Sequence, residues 1–209
     1  MYIPNAFRET DIPKLHKFMG QYGFAMLITN GPQGMMASHL PILVDVSQGP
    51  LGTLTGHFAR ANEQSAELGQ EALIIFSGPH TYVSPTWYEA PNTVPTWNYV
   101  AVHAYGVLEP VTDRDELGRI LCDLTRKYEE PRQTPWAFDA STEFHQKLMD
   151  GIVGFKVQIT RLEGKWKLSQ NHLPERRQKV IQALRTMGGE DRLAIADLMQ
   201  ATLPEAQGS

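Results

Sequence analysis

The sequence predicts a mainly β fold with some α, an antiparallel barrel with peripheral helices. Three observations carry that prediction. Six or seven short apolar segments of strand length follow one another, most of them separated by turns rich in Gly and Pro. Helical periodicity is inserted between them at only three places. A doubly wound parallel sheet needs a crossover helix between nearly every pair of strands, so that class is excluded. Closing antiparallel strands on themselves is the usual way to dispose of unpaired edges.

The elements follow in order. Residues 10–23 (TDIPKLHKFMGQYG) read as an amphipathic helix with Thr10 as N-cap and Pro13 in the first turn, where proline is tolerated. Ile12, Leu15, Phe18 or Met19, and Tyr22 share one face. From Phe24 the period changes to two. FAMLITN, the turn GPQG and MMASHLPILV make a hairpin, and LGTLTGHFA, after Gly49 and Pro50, adds a third strand as a meander. Asn62 then caps a short helix (NEQSAELG) closed by Gly69, and EALIIFSG is the next strand.

The stretch from Pro79 to Pro95 also contains Pro85 and Pro91 and is too irregular for regular structure. VPTWNYVAVHAYGVLEP is a long strand with a bulge expected near Gly106. In DRDELGRILCDLTRKYEE, introduced by Thr112, Leu117, Ile120, Leu121, Leu124 and Tyr128 repeat at helical spacing. A short helix from about Ser141 precedes VGFKVQITRLEGKWKLSQ, read as two strands around a turn at Glu163 and Gly164. Two helices, Pro174 to Met187 and Glu190 to Leu203, are split by Gly188 and Gly189. The chain divides into a barrel domain, 1–172, and a C-terminal helical extension, 173–209, packed on it.

Composition removes several functions. Cys122 is the only cysteine of the 209 residues, which rules out an intrachain disulfide and a Cys-rich metal cluster. No apolar run reaches the ~20 residues of a membrane helix, and the N-terminus lacks the features of a signal peptide, so a cytoplasmic location without membrane contact is expected. A net charge of −4 argues against a chain built to coat nucleic acid. Between Lys17 and Arg114 the only Lys or Arg is Arg60.

Neither G-x-G-x-x-G nor G-x-x-x-x-G-K-[ST] occurs, so a bound nucleotide needs another phosphate seat. The candidate is GHFARAN, residues 56–62, where Arg60 stands beside a helix N-terminus capped by Asn62; guanidinium and unpaired amides together suit an anion. The competing reading is an arginine paired with a surface carboxylate. His39, His57, His80 and His103 lie in or beside strands, but none has a carboxylate within three residues and no pair has i, i+2 spacing. Hydrogen-bonded histidines in a polar pocket therefore fit better than a protein-bound metal, with a haem ligand as a minor alternative. Cys122 reads as a core thiol. Tyr82, Trp87, Tyr88, Trp97, Tyr99 and Tyr105 fall within 24 residues and suit either a pocket for a flat polar ligand or an aromatic core. KWKLSQN, read as a strand, puts Lys165, Lys167, Ser169 and Asn171 on one face.

Taken together, MYIP, A-x-H-L-P (37–41), GH-x-A-R-A-N (56–62), F-x-GPH-x-Y-x-SP-x-WY (76–88), VPTWNY (94–99), VH-x-YG (102–106), IVGF (152–155) and GK-x-KLSQN (164–171) resemble the PaiB-type FMN-binding negative transcriptional regulators. The resemblance covers residues 1 to about 185. It implies a split antiparallel β-barrel of the kind found in pyridoxamine-phosphate oxidases, an FMN-binding split barrel, assembled as a homodimer with FMN at the interface. It also implies that Arg60, Asn62 and Lys167 hold the phosphate and that Ser38, His39 and Leu40 run past the flavin edge. Trp97, Asn98, Ser169 and Gln170 shape the rest of the site from the other subunit.

Three functions follow from that resemblance: an FMN-binding repressor, an FMN-dependent oxidoreductase acting on a small-molecule substrate, or a split barrel that binds haem instead. DNA is a weakly supported partner. No helix-turn-helix is evident, and the densest basic stretch, Lys165 to Lys179, carries five Lys or Arg against one Glu.

Overall fold

The structure is a computed structural model that describes residues 1–32 and 34–204. Its regular elements are β1 (Arg8–Glu9), α1 (Ile12–Gln21), β2 (Phe24–Gly31), β3 (Gly34–Pro41), β4 (Leu43–Asp45), β5 (Thr53–Ala59), β6 (Glu71–Val83), β7 (Thr96–Val111), α2 (Arg114–Glu129), α3 (Glu143–Met149), β8 (Ile152–Gln158), β9 (Arg161–Lys167), α4 (Pro174–Met187) and α5 (Glu190–Ala201). Short 3-10 turns at Asn5–Phe7, Glu63–Glu67 and Pro85–Tyr88 complete the backbone. No helix among the described residues is long and apolar enough to cross a membrane.

The strands run in the order β3-β2-β6-β7-β8-β5-β4, with β9 joining β7 and β1 joining β9. The path does not return on itself, so the sheet stays open as a split barrel does. The chain separates into two compact units, a larger one of Asp11–Phe76 and His103–Leu162, and a smaller one of Met1–Thr10, Ser77–Val102 and the residues from Glu163 onward.

In the larger unit, Leu27, Leu54, Phe58, Ile74, Leu108, Phe155 and Val157 are fully buried. The rings of Phe58 and Phe155 lie 4.8 Å apart. Leu117, Ile120 and Leu124 of α2 close over Val111 and Met149. Asp113 caps that helix by accepting from the amides of Asp115 and Glu116. In the smaller unit, Val180, Ile181 and Leu184 of α4 and Ile195, Ala196 and Met199 of α5 are buried. The turn between these helices uses Gly188 and Gly189 at φ 64° and 90°, a region open to glycine at little cost. The buried guanidinium of Arg177 donates to the Thr202 and Met199 carbonyls and so caps the C-terminal end of α5.

Several sequence expectations are corrected. The expected second strand, 35–44, is split: its first part, in β3, pairs β2 and its end, in β4, pairs β5, so the successive antiparallel pairings hold but β3 and β4 stand at opposite ends of the path. Pro41 ends β3, and fully buried Ile42, its amide bonded to Gly23 O at 2.7 Å, separates the two strands. Of the segment from Pro79 to Pro95, the first part is regular, because β6 continues to Val83 with Thr81 and Val83 buried, whereas Ser84 to Pro95 holds no regular structure beyond the 3-10 turn Pro85–Tyr88. Glu163 and Gly164 are not a turn; they lie within β9, where Gly164 pairs Glu9. The strands β8 and β9 do not pair, because β7, 16 residues long, accommodates both. β7 runs unbroken from Thr96 to Val111. Gly106 is a close-approach position, where a Cβ would stand 2.2 Å from Gln158 O. Asp11, not Thr10, caps α1.

Candidate functional site

At the end of β5 the chain turns through Arg60 into the 3-10 turn Glu63–Glu67. Arg60 is exposed, yet its position is fixed. Its amide donates to Gly151 O at 2.8 Å, its Nε to Asp150 O at 2.6 Å and an Nη to Ile152 O at 2.9 Å. A guanidinium has five N–H groups, so most of the fork stays free for an anion. Among the described residues Arg60 has no carboxylate partner, which disposes of the surface ion-pair reading.

Asn62 does cap the next element, its Oδ1 accepting from the Gln64 amide at 3.0 Å, but that element is a single 3-10 turn and not an α-helix. The Nδ2 of Asn62 donates to Ser38 Oγ at 2.9 Å, which ties β3 to the turn. Gln64, buried, completes the junction by donating to Leu27 O, Thr29 Oγ1 and Met36 O at 3.1 to 3.3 Å. Ser38, His39 and Leu40 follow each other along β3, and the exposed His39 ring stacks on Phe24 at 6.1 Å. The structure therefore brings Ser38 and Asn62 into direct contact and fixes Arg60 two residues before Asn62, with guanidinium donors free for a phosphate although Glu63 follows in the same turn.

The remaining expected site residues lie in the smaller unit and behave differently. Asn98, Ser169 and Tyr88 are buried and satisfy one another: Asn98 Nδ2 donates to Ser169 Oγ at 3.1 Å, and the hydroxyls of Tyr88 and Ser169 are 3.0 Å apart. Ser169 sits at φ 62°, so the strand alternation expected for KWKLSQN ends at Lys167. The side chain of Gln170 folds back on Trp166 O and the Leu168 amide at 2.6 and 2.7 Å. Lys167 donates to Thr96 Oγ1 and to Trp97 O, and burial, with Lys165 nearby, pushes its pKa down. Lys165 is itself buried over the Tyr99 ring, 5.1 Å from its centre. Trp97 alone of this group presents an open side chain, 54% exposed.

Sequence reasoning missed Gln64, whose amide resembles any surface glutamine, and Tyr88 as the partner of Ser169. Among the described residues no group of three His, Cys, Asp or Glu is placed to hold a metal ion. Burial holds His57 below the ordinary imidazole range and hence neutral at pH 7. Cys122 Sγ donates to Phe138 O at 3.4 Å.

The open antiparallel sheet is that of the flavin-binding split barrels. It is similar to the FAD and heme binding protein from Mycobacterium smegmatis, with TM-score 0.59 and 16% identity over 77% of this chain and 73% of that one. It is also similar to the flavocytochrome Anf3 from Azotobacter vinelandii, with TM-score 0.54 and 14% identity over 77% and 69%. Residues 1–161 match the family described as "Putative FMN-binding domain", and the chain belongs to that family. It is 34% identical, over 97% of its length and 98% of the relative's, to the protease synthase and sporulation protein PAI 2 of Bacillus subtilis. An uncharacterized protein of Aspergillus fumigatus, AFUA_5G13800, is 34% identical over 94% and 95% of the two chains. FMN is the cofactor to which this family assignment points.

Proposed function

We propose that this chain is an FMN-binding regulator of the PaiB type, working as a homodimer. The observation that carries the flavin reading is Arg60, whose guanidinium keeps free donors and, among the described residues, has no carboxylate partner, two positions before Asn62, which is bonded to Ser38. Arg60 and Asn62 take the phosphate, and Ser38, His39 and Leu40 offer β3 to the flavin edge. When bound, the flavin supplies the redox and optical properties of the complex, while the protein supplies position and charge.

The dimer reading rests on the outer face of β3, β2 and β6. Residues directly opposite in antiparallel strands share a face. Here Phe24 faces Pro41, Met26 faces His39 and Ile75, and Ile28 faces Ala37 and Leu73. Phe24 is 66% exposed and Met35 76%. A sheet face left to water is normally polar, so this apolar one suits a second copy of the chain.

The regulatory part of the reading follows the relative PAI 2, named for protease synthesis and sporulation. It does not call on the basic stretch 165–179 as a DNA surface. Lys165 and Arg177 are buried, Lys167 is bonded to Thr96 and Trp97, and Lys179 pairs with Glu89 at 2.6 Å. Regulation through a protein partner or a small molecule fits this arrangement better.

The test is a visible absorption spectrum of protein loaded with FMN and then desalted. Retained flavin bands in stoichiometric amount support the reading; their complete loss on desalting, with no binding by titration, overturns it.

A further inference from the structure

A groove of about 710 Å³ opens within the smaller unit. Three of its walls are aromatic: Tyr82 from β6, Trp97 from β7, and Trp87 from the 3-10 turn Pro85–Tyr88, whose cap Ser84 accepts from the Thr86 amide. Tyr82 and Trp97 are 6.1 Å apart with their planes at 74°, so they form a corner and not a stack. Both rings stay open to solvent, 44% and 54% exposed, which is costly for large apolar side chains that nothing covers. The rim opposite comes from the first turn of α5, where Glu190, Asp191 and Arg192 line the groove.

The charges on that rim choose the ligand. Among the described residues Glu190 has no ion pair. The basic group paired with Asp191 is His80, 3.9 Å away, with both side chains more than half exposed. Arg192 spends an N–H on Gly188 O, on the backbone of the turn between α4 and α5. Glu190, Asp191 and Arg192 leave the rim with a net charge of −1, so an anion entering the groove meets two carboxylates against one guanidinium, and the negative faces of three rings. A neutral flat molecule gains the stacking area but gives the carboxylates nothing. An inorganic cation would find ring faces where it needs oxygen ligands. An organic cation satisfies both halves, with its charge near the carboxylates and its alkyl or aryl substituents against the rings. The volume lies within the range of pockets that enclose small organic ligands.

We propose that this groove binds an organic cation, an amine or quaternary ammonium carrying alkyl or aryl substituents. The site is distinct from the corner assigned to the flavin phosphate, and the proposal does not depend on flavin being bound.

The probes are benzyltrimethylammonium and its uncharged carbon isostere, neopentylbenzene, titrated against the full chain and followed by tryptophan fluorescence, with and without added FMN. The expected result is saturable quenching by the cation and affinity at least about 10-fold weaker for the isostere. Trp97→Ala should weaken the cation by about 10-fold or more. Because that variant removes a large side chain, the exposed pair Glu190→Gln with Asp191→Asn is the second arm; it should keep the parent circular dichroism spectrum and lose a similar factor. No saturable quenching by the cation overturns the proposal, as does equal affinity for the two probes or unchanged affinity in the double variant. Failure to retain FMN would count against the flavin reading alone, since the titration without FMN still reports on the groove.

Discussion

Replacing Arg60 by alanine isolates the phosphate corner. In the folded chain two N–H groups of this side chain are committed to the carbonyls of Asp150 and Ile152, at 2.6 and 2.9 Å. The others are available to a phosphate. A hydrogen bond to a charged group contributes about 1.5 to 3 kcal/mol, so losing the arginine should weaken FMN by roughly 10- to 100-fold. The cost to the fold is smaller. Arg60 is exposed, and water can replace it at the two carbonyls, so roughly 1 kcal/mol is lost, a fall in Tm of about 2 to 4 °C for a chain of this size. Arg60→Lys keeps the charge but cannot hold both carbonyls and a phosphate together, and should fall between parent and alanine. The assay is flavin fluorescence titration of apoprotein at two ionic strengths, with thermal unfolding alongside. Parent-like FMN affinity in a folded Arg60→Ala protein would refute the assignment.

Further outcomes follow from other parts of the fold. Gly106→Ala should cost about 3 kcal/mol and lower Tm by roughly 6 to 12 °C, because its Cβ would stand 2.2 Å from the main-chain oxygen of Gln158; an unchanged melting curve would contradict that close approach. Asn98→Ala strips Ser169 of a partner inside a fully buried network and should cost about 2 to 3 kcal/mol in urea unfolding, whereas a loss under about 0.5 kcal/mol would mean the network is slack. Phe24→Asp combined with Met35→Glu should convert a dimer into a monomer in sedimentation equilibrium, and a dimer that persists would move the interface elsewhere. Burial lowers the folded-state pKa of His57 below about 6.5 while the unfolded chain keeps that value, so protons bind the unfolded state more readily. Stability from this group is complete above pH 6.5 and is lost as pH falls toward the lower folded value; His57→Gln should flatten that part of a Tm profile, and an unaltered slope would exclude His57 as its source.

The sequence was most informative where the physics is local. The stripe of α2, the hairpin of β2 and β3 and the double glycine between α4 and α5 are all encoded within a few residues of themselves. Pairing between distant strands is not. Nothing near Glu163 reveals that Gly164 will pair with Glu9, and a Glu-Gly step reads as a turn until β1 occupies the adjoining edge. The site divides the same way. Arg60 and Asn62 are neighbours in sequence and were found together, whereas the carbonyls that pin the guanidinium come from residues 150 and 152 and carry no sequence signal at all. Asn98 and Ser169 look like ligand contacts because polar residues stand out in an aromatic stretch. Their partners turned out to be each other and Tyr88, a distinction visible only once positions 71 and 81 apart in sequence have been brought together.

The strand β3 has no fully buried residue, and it is the terminal strand of the sheet path. Its protection from opening is therefore supplied almost wholly by β2 and by the bonds from Asn62 to Ser38 and from Gln64 to Met36 O. Amide hydrogens of residues 35–40 should exchange with solvent far faster in the isolated apo chain than those of β7 or β8, because local opening there exposes little apolar surface. Whatever covers this strand, flavin or second subunit, would be recorded as a slowing of exchange confined to it. The same segment would thus serve as a built-in reporter of assembly, readable peptide by peptide without any label.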